Sequence, residues 1–410
     1  MKITTVKGTN DYLPEEARLR DYLQNKILST YLDAGFERIM TPAVEDIENL
    51  DKSDGGDNLN LIFKILKRGD KLNKALLAGD ADSLCDMGLR YDLTLPLSRY
   101  YANNRDKLVL PAKCIQIDKV YRAERPQKGR LREFVQCDID IIGSSSINSE
   151  IELIHTTAKA LLSLDIKDFT VKINDRHILR TLLANVGFAQ DSLDSVCITF
   201  DKLDKIGAQG VATELEEKGM DSAAIAKFSE ILANPLTLES VKEICGEDSL
   251  EGVEKIIDSI TYLAEGKYAI KFDISLVRGQ GYYTGTVFEI VSDKFRGSIA
   301  GGGRYDNLIG KFTGENVPAV GFSIGFERIF ALLTEAGYKI PDAKKRIALL
   351  YDKTDAVKAI KAAEEMRGEY DVVIYEKPKK LSKYLDKIQS KGYYGFCFLD
   401  NINEIRILQD

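Results

Sequence analysis

The stretch VYRAERPQKGRLREFVQCDIDIIG, residues 120–143, is the part of this chain that decides its fold. Two segments of alternating polar and apolar residues flank a loop rich in arginine and lysine, which predicts a long hairpin over residues 113–143. In the second segment the apolar and polar side chains face opposite ways: Val135, Cys137, Ile139 and Ile141 against Gln136, Asp138 and Asp140. A strand with one polar face either borders bulk water or lines a cavity.

The loop of this hairpin carries a cluster of positive charge. Its members are Arg125, Lys128, Arg130 and Arg132, and Arg122 ends the strand before it. Guanidinium groups pair with phosphate oxygens in two directions at once, so the cluster suits a polyphosphate or a nucleic-acid backbone. The alternative is a solvated surface hairpin, because turns between exposed strands are often charged. Charge by itself leaves both interpretations open.

Composition limits the classes of protein to which the chain belongs. Its 410 residues include 57 Lys and Arg against 64 Asp and Glu, which gives a formal net charge of -7. A general nucleic-acid binder is basic, so contact with nucleic acid must use local clusters. The hairpin loop is one cluster, and the other consists of Lys377, Lys379, Lys380 and Lys383. No apolar run approaches the ~18 residues that a membrane span needs.

Cysteine and histidine are used sparingly. The 6 cysteines show no CxxC spacing, which is typical of a reducing compartment and argues against structural zinc. Because the chain has only 2 histidines, His155 and His177, a Ser-His-Asp triad or a histidine-based metal site is disfavoured. The N-terminus has no apolar leader. We therefore expect a cytoplasmic protein without membrane contact, and we assign no metal-ligating residue.

The order of helix and strand signals predicts an α+β fold with a mixed, mostly antiparallel sheet. No Walker loop occurs, and no GxGxxG lies between a strand and a helix. We place the first part of the main domain at residues 1–171 and its second part at 267–338. Glycine-punctuated helical segments predict a helical insertion at 172–266. Alternating strands and helices, in the order βαβαβ, predict a small α/β domain at 344–410.

Five motifs then relate the chain to a known family. They are KGTNDYLP (7–14), GFERIMTPAVE (35–45), RAERPQKGRLREF (122–134), LVRGQGYYTGTVFE (276–289) and AVGFSIGFERIF (319–330). In this order they resemble the N-terminal signature, motif 1, motif 2, the histidine-specific motif and motif 3 of the class II histidyl-tRNA synthetase family. The resemblance covers nearly all of residues 1–335. It implies that the main domain is catalytic and that the C-terminal domain is related to anticodon-binding domains.

The resemblance implies activation of histidine by ATP, followed by transfer to tRNA(His). The carboxylate of histidine attacks the α-phosphorus, so the enzyme needs no nucleophile of its own and must instead hold two anions. The implied catalytic residues are Arg122, Arg278 and Arg328. The implied ATP site comprises Arg122, Arg130, Phe134, Arg278 and Arg328, with adenine stacked on Phe134 and Mg²⁺ on the phosphates. The alternative for Arg328 is an ordinary ion pair on a helix face.

The histidine site implied by the family comprises Asp92, Thr94, Gln136, Asp140, Tyr282, Tyr283 and Tyr305. Asp92, Thr94 and Gln136 would hold the ammonium group, and Asp140 and Tyr283 would hold the ring nitrogens. Because Asp92 and Thr94 lie two apart, we expect one strand face to present both. Other members carry Glu in place of Asp92 and Asp140. Glycines at 297 and 301–303 either line this pocket or permit tight strand packing.

The implied partners are tRNA(His) and a second copy of the chain. Residues Arg125, Gln127, Lys128 and Arg132 would contact the acceptor end, the insertion would hold the acceptor stem, and the C-terminal domain would meet the anticodon. That domain usually continues for another strand and helix, so it is expected to be shortened. Motif 1 forms the subunit interface across class II enzymes, which implies a homodimer.

The competing hypothesis is a different class of protein, a histidine-binding regulatory paralogue of an ATP phosphoribosyltransferase that charges no tRNA. Such paralogues typically lose the charge of motif 2, the catalytic arginines and the anticodon domain. This chain keeps Arg122, Arg278 and Arg328 and most of the C-terminal domain, which favours the ligase.

Overall fold

The computed structural model describes residues 3–52, 60–126, 130–200, 202–234, 236–277 and 282–408. The chain divides into two compact units, Met1–Tyr338 and Lys339–Asp410.

The helices of the described residues are α1 (Pro14–Asp33), α2 (Ile47–Leu50), α3 (Gly69–Ala78), α4 (Thr94–Asn104), α5 (Asn148–Leu162), α6 (Arg176–Val186), α7 (Leu193–Phe200), α8 (Leu203–Glu217), α9 (Ser222–Leu232), α10 (Leu238–Cys245), α11 (Glu251–Ala264), α12 (Gly310–Thr313), α13 (Phe326–Glu335), α14 (Ala356–Met366) and α15 (Leu381–Gln389). The strands are β1 (Glu37–Arg38), β2 (Val44–Asp46), β3 (Phe63–Leu66), β4 (Cys85–Leu89), β5 (Ala112–Tyr121), β6 (Glu133–Ile142), β7 (Phe169–Asp175), β8 (Ala269–Phe272), β9 (Thr286–Ser292), β10 (Phe295–Arg304), β11 (Ala319–Gly325), β12 (Arg346–Tyr351), β13 (Asp371–Glu376), β14 (Gly395–Phe398) and β15 (Asn401–Ile407).

A large sheet organises the first unit. Within the described residues its eight strands follow the order β1-β5-β6-β11-β10-β9-β7-β8. The pairs from β5 through to β7 are antiparallel, and the outer pairs β1 with β5 and β7 with β8 are parallel. This confirms the predicted mixed, mostly antiparallel sheet. Beside it, β2, β4 and β3 form a small antiparallel sheet.

The predicted hairpin is the pair β5 and β6, in register from Ala112 opposite Ile142 to Tyr121 opposite Glu133. The apolar face of β6 packs into one core with α1 and α5. That core includes Val135, Cys137, Ile139 and Ile141 of β6, Leu23, Ile27 and Tyr31 of α1, and Leu153 and Ile154 of α5. Burying each such aliphatic side chain contributes about 1.5–3 kcal/mol, so the alternation of the sequence fixes which face of β6 is inside.

Helix α1 begins and ends where its sequence dictates. Pro14 occupies the first turn, where its missing N–H costs nothing. The carboxylate of Glu16 accepts the backbone N–H of Leu13 at 2.8 Å. Gly35, with φ of +81°, follows the helix and turns the chain into β1. That strand spans Glu37–Arg38.

The helical insertion lies between β7 and β8, which are parallel neighbours in the large sheet. Residues 172–175, placed in the insertion by the sequence analysis, continue β7, because Lys172 pairs with Glu289 in the ladder of β7 and β9. The helical part therefore starts at Arg176. Three phenylalanines, Phe188, Phe200 and Phe228, pack edge to face within it.

In the second unit, β12, α14, β13, α15 and β14 follow the predicted alternation of strands and helices. Its sheet has the order β13-β12-β14-β15 over the described residues, with β12 parallel to β13 and to β14. Strand β15, which the sequence analysis did not predict, pairs antiparallel with β14. Across the described residues of both units, no helix is long and apolar enough to cross a membrane.

Candidate active site

A cavity of about 590 Å³ opens on the polar face of β6. The strand contributes Phe134, Gln136, Asp138 and Asp140 to its lining, as alternation along the strand requires. The cavity brings together these predicted site residues: Asp92, Thr94, Arg122, Arg130, Phe134, Gln136, Asp140, Tyr282, Tyr283, Tyr305 and Arg328. Its volume lies in the range of small-molecule sites. The polar face of β6 therefore lines a cavity and does not border bulk water.

Arg122 follows β5 directly and is held in place by two contacts. Its Nε donates to the backbone oxygen of Tyr91 at 3.0 Å, and its guanidinium carbon lies 5.1 Å from the centre of the Phe134 ring. The backbone N–H of Arg122 also donates to the oxygen of Arg132 at 2.9 Å, which closes the base of the hairpin loop. A guanidinium fixed in this way keeps its remaining N–H groups for an anion.

Arg328 lies in the first turn of α13 and points back to β10. Its Nη1 donates to the backbone oxygen of Ser298 and lies 3.1 Å from the Ser298 hydroxyl. Arg328 therefore lines the cavity beside β10, whereas Arg122 lines it from the end of β5.

The neighbour of Arg328, Glu327, is tied to a distant helix. Arg20 of α1 forms a two-pronged ion pair with it, with both N–O distances 2.7 Å. Glu327 also accepts the backbone N–H of Val135 at 3.2 Å, and the ring of Tyr12 lies 4.0 Å from the Arg20 guanidinium. This buried cluster links the first helix to motif 2 and motif 3, and the sequence analysis did not anticipate it.

Asp140 and Tyr305 form the second polar group of the cavity. The Tyr305 hydroxyl donates to Asp140 Oδ1 at 2.6 Å. Gly321 makes room for this carboxylate, because a Cβ built at Gly321 would lie 2.0 Å from Asp140 Oδ1. The rings of Tyr282 and Tyr283 lie 4.8 Å apart beside them.

Two buried carboxylates of the cavity have raised pKa values. Burial raises the pKa of Asp92 to about 6, although the backbone N–H of Leu95 and the charge of Arg122 act against the rise. Burial raises the pKa of Asp140 to about 7, the hydrogen bond from Tyr305 lowers it, and the charge of Asp92 adds to the rise. Carboxylates in this state gain most from a ligand that brings positive charge.

Asp92 and Thr94 do line the cavity, but the expectation that one strand face presents them is wrong. Asp92 lies just before α4, and Thr94 is the first residue of that helix. Asp92 Oδ1 accepts the backbone N–H of Leu95 at 3.2 Å. An aspartate that satisfies an N–H of the first turn is typical of a helix start. The spacing of two is therefore that of a residue before the N-cap, Leu93, and the first residue of the helix.

Among the glycines of β10, Gly301 lines the cavity. At Gly302 a Cβ would lie 2.0 Å from the backbone oxygen of Gly321, so this position serves strand packing. Gly303 is also crowded, with a Cβ 2.7 Å from the oxygen of Thr286. Of the two predicted uses of these glycines, lining the pocket therefore applies to Gly301, and tight strand packing applies to Gly302 and Gly303.

The described residues of the hairpin loop occupy different surroundings. Arg125 is exposed. Arg130 lies at the cavity, with its Nη1 3.4 Å from the Glu124 carboxylate. Arg132 Nε donates to the backbone oxygen of Glu124 at 3.1 Å, and the Arg132 backbone N–H donates to the oxygen of Gly8 at 2.7 Å. The N-terminal signature therefore packs against motif 2.

Three predicted site residues, Arg278, Gln127 and Lys128, lie outside the described residues. Several other residues that line the cavity had no role predicted from the sequence: Glu124, Asp138, Lys172, Ser298 and Ser323. Strand parity with Gln136 was the signal that pointed to Asp138. No comparable signal existed for Ser323, which is opposite Asp138 only through the pairing of β11 with β6.

The donor groups of the cavity do not form a metal site. Over the described ranges, no three carboxylate, imidazole or thiol groups lie together so as to hold a metal ion. Arginine side chains, serine hydroxyls and single carboxylates instead suit anions and a cationic amine.

Comparison with known proteins agrees with this geometry. The family model described as Histidyl-tRNA synthetase matches residues 8–329. The Histidine--tRNA ligase of Leifsonia xyli subsp. xyli (strain CTCB07) is 42% identical over 419 residues, covering 97% of this chain and 95% of that protein. The Histidine--tRNA ligase of Christiangramia forsetii (strain DSM 17595 / CGMCC 1.15422 / KT0803) is 35% identical, covering 97% of this chain and 92% of that protein.

Two solved structures share the architecture. The crystal structure of histidyl-tRNA synthetase from Nostoc sp. PCC 7120 aligns with a TM-score of 0.79 at 27% identity, covering 97% of this chain and 91% of that chain. An ATP phosphoribosyltransferase regulatory subunit/histidyl-tRNA synthetase from Bacillus halodurans C aligns with a TM-score of 0.78 at 21% identity, covering 97% of this chain and 98% of that chain. At this lower identity the likeness concerns the fold alone.

The family match includes every part of the site. The matched residues 8–329 contain the hairpin, the residues that line the cavity and most of both segments of the main domain. The relatives at 35% and 42% identity extend the likeness over nearly the whole chain. The chain belongs to the histidyl-tRNA synthetase family, and its fold is the class II α+β fold of the aminoacyl-tRNA synthetases.

Proposed function

We propose that this cavity joins histidine to ATP as histidyl-adenylate and then passes the histidyl group to tRNA(His). The observation that carries the proposal is a single cavity in which Asp140 and Tyr305 form a polar pair and Arg122 and Arg328 supply cationic groups. An imidazole has one donor and one acceptor, which the Asp140 carboxylate and the Tyr283 hydroxyl can satisfy, with Tyr305 supporting Asp140. The two arginines suit the anions that react.

The ammonium end of the substrate is assigned to Asp92, Thr94 and Gln136. Asp92 is buried and lies with Thr94 at the start of α4, and Gln136 joins them in the cavity lining from β6. An apolar analogue would leave these polar groups without partners, which can cost about 10⁴-fold in specificity. The shorter aspartates at 92 and 140 keep the carboxyl group of the glutamates expected there.

The chemical step is an in-line displacement at the α-phosphorus. The histidine carboxylate forms the new bond to phosphorus, and the bond to pyrophosphate breaks. Arg122 would hold the α-phosphate and the carboxylate, and Arg328 the γ-phosphate, while adenine stacks on Phe134. Arg278 would act on the opposite side of the α-phosphate. Because the substrate supplies the nucleophile, positioning and charge stabilisation by fixed arginines are what the protein contributes.

The tRNA would approach over the motif 2 loop. Arg125 is exposed, so it is available to the acceptor end, whereas Arg132 is engaged with Glu124 and Gly8 at the base of the loop. We assign Arg125 the direct contact and Arg132 the support of the loop, with Gln127 and Lys128 between them. The anticodon role of the C-terminal unit rests on family resemblance.

The test of this function is histidine-dependent ATP–pyrophosphate exchange, with the other amino acids as controls. We expect exchange with histidine alone, followed by charging of tRNA(His). Histidine binding without exchange would overturn the ligase and favour the regulatory paralogue, whose assay is binding to an ATP phosphoribosyltransferase.

We also propose a homodimer that uses the β1 edge of the large sheet. Among the described strands β1 is an edge strand, and both of its residues are exposed. Met40, which follows β1, is 74% exposed, and Val109, which precedes the paired strand β5, is 85% exposed. An exposed edge with large apolar side chains is typical of a surface that another chain covers.

The dimer is tested by the mass in solution at micromolar concentration. We expect a dimer for the parent and for Tyr262→Glu, a control at an exposed residue of α11. Met40→Glu is expected to weaken association, because it places a charge in the apolar contact. A monomeric parent would refute the dimer.

A further inference from the structure

A third buried carboxylate of the cavity, Asp138, has no role in the assignments above. It lies on β6 between Gln136 and Asp140, on the same face, and is 4% exposed. Its neighbours in register are uncharged, Gln116 on β5 and Ser323 on β11. Among the described residues no ion pair involves Asp138. A buried carboxylate without a cation needs a reason.

Asp138 is in contact with the amide of Gln136. The Gln136 Nε2 lies 3.4 Å from each carboxylate oxygen of Asp138 and donates to the Ser323 hydroxyl at 3.0 Å. The Ser323 hydroxyl, opposite Asp138 in the pairing of β11 with β6, lowers the pKa of that carboxyl. The amide nitrogen of Gln136 is therefore in contact with the Asp138 carboxylate and the Ser323 hydroxyl.

The other end of that amide has no partner among the described residues. Gln136 Oε1 is a buried oxygen that accepts no hydrogen bond from them. Native proteins rarely leave a buried acceptor in this state, and where they do a missing ligand often explains it. Since Gln136 lines the cavity, a cationic N–H donor placed there would satisfy Oε1.

The surroundings of Asp138 favour its neutral carboxyl over the ionised form. Burial and then the charge of Asp140 raise the pKa of Asp138 well above its usual range, with a smaller rise from Asp92. The described cation that acts against this rise is Arg122 after β5. An ammonium group entering between these carboxylates would favour the ionised form.

We propose that Asp138 is a positioning residue for the ammonium group of the substrate, and that it releases a proton as that group enters the cavity. The ionised carboxylate accepts only, so it holds the N–H₂ end of Gln136 and turns Oε1 toward the ammonium. The proton leaves to solvent, and the charge it leaves behind is balanced by the ammonium. This inference rests on the proposed function, because it needs an amino acid in the cavity.

The test is calorimetric titration with histidine in Pipes and in Tris, two buffers of different ionisation enthalpy, near neutral pH. The difference in apparent enthalpy gives the number of protons exchanged. The parent is expected to release protons, and Asp138→Asn, which cannot ionise, is expected to release fewer by about half a proton or more. Asp293→Asn, at an exposed residue, is the matched control and is expected to match the parent.

Steady-state exchange supplies the second readout. Asp138→Asn is expected to raise the KM for histidine about tenfold with kcat within about twofold, since ammonium binding is common to ground and transition states. Ser323→Ala keeps the carboxylate, so it should raise the KM less and leave the proton count unchanged.

The inference is overturned if the parent exchanges no protons on binding histidine. It is also overturned if Asp138→Asn binds histidine with the parent's proton count. If Asp138→Asn does not fold, the buffer comparison on the parent and on Ser323→Ala decides. Absence of histidine binding by the folded parent would instead be a failure of the proposed function, so the two failures are distinguishable.

Discussion

Replacing Arg20 by methionine tests the connection between the first helix and motif 3. Arg20 and Glu327 are each 9% exposed in their side chains, and both prongs of the ion pair measure 2.7 Å. Without Arg20, the Glu327 carboxylate stays buried and keeps the neutral donors Val135 N–H and Tyr12 OH. Leaving one charge of a buried pair without its partner costs about 3–5 kcal/mol of the free energy of unfolding.

The assay is urea unfolding followed by circular dichroism, because the chain contains 0 tryptophans. With an m value of about 3 kcal/mol/M, Arg20→Met is expected to lower the midpoint by about 1–1.7 M. The matched control is Arg105→Met, which breaks an exposed pair with Glu315, with side chains 45% and 67% exposed. An exposed pair contributes below about 1 kcal/mol, so the control should shift the midpoint little.

A double variant separates loss of the pair from loss of packing. Arg20→Met with Glu327→Gln leaves neither charge of the pair buried, so it should be more stable than Arg20→Met by itself. If Arg20→Met shifts the midpoint no more than Arg105→Met does, breaking the buried pair of Arg20 and Glu327 costs no more than breaking an exposed pair, which contradicts the prediction. It is equally refuted if the double variant regains no stability.

Three further predictions concern the cavity. Burial raises the pKa of Asp140 to about 7, so the folded protein binds a proton at Asp140 more tightly than the unfolded chain does. The resulting contribution to the free energy of unfolding is full below the ordinary aspartate pKa and is lost as the pH rises toward about 7. Asp140→Asn should therefore unfold at higher urea than the parent at about pH 8 but not at about pH 4, by about 1.4 kcal/mol per pKa unit, while losing histidine-dependent exchange. Gly321→Ala places a Cβ 2.0 Å from Asp140 Oδ1 and should raise the KM for histidine about 100-fold. The control is Gly252→Ala in α11, where the Cβ meets open space; it should leave the free energy of unfolding unchanged or raise it by about 0.5–1 kcal/mol. A lysine at position 122 cannot make both the Tyr91 hydrogen bond and a two-pronged contact with phosphate. Arg122→Lys should therefore lower kcat for exchange about 100-fold with an unchanged thermal midpoint. Equal rates for Arg122→Lys and the parent would exclude the proposed contact of Arg122 with the α-phosphate.

The sequence predicts best where the physics is local. Alternation along residues 133–142 assigns Val135 and Cys137 to the core and Gln136 and Asp140 to a polar face, and the structure agrees. A two-residue period is a property of an extended chain, so no knowledge of its neighbours is needed. Glycines and leucine-rich helical segments likewise predict the helices between β7 and β8.

The spacing of two residues along the chain does not predict the local structure when a strand and a helix start both allow that spacing. Asp92 and Thr94, two residues apart, fit one face of a strand and also fit a helix start, and the sequence analysis chose the strand. The structure decides for the helix because Asp92 accepts the N–H of Leu95 and α4 then buries Leu95 and Leu97. Packing of Leu95 and Leu97 into a buried hydrophobic cluster, which the sequence does not display, selects between the two.

The family, the hairpin and many of the residues that line the cavity follow from the sequence, because motifs and alternation are read along the chain. Which charges lie next to one another depends on the tertiary structure. Arg20 and Glu327 are separated by 307 residues, and Asp138 meets Ser323 only because β11 pairs with β6 in one register. Ion pairs and buried amides of this kind depend on distances across the fold, since electrostatic and hydrogen-bond energies fall steeply with separation and burial is set by every element at once.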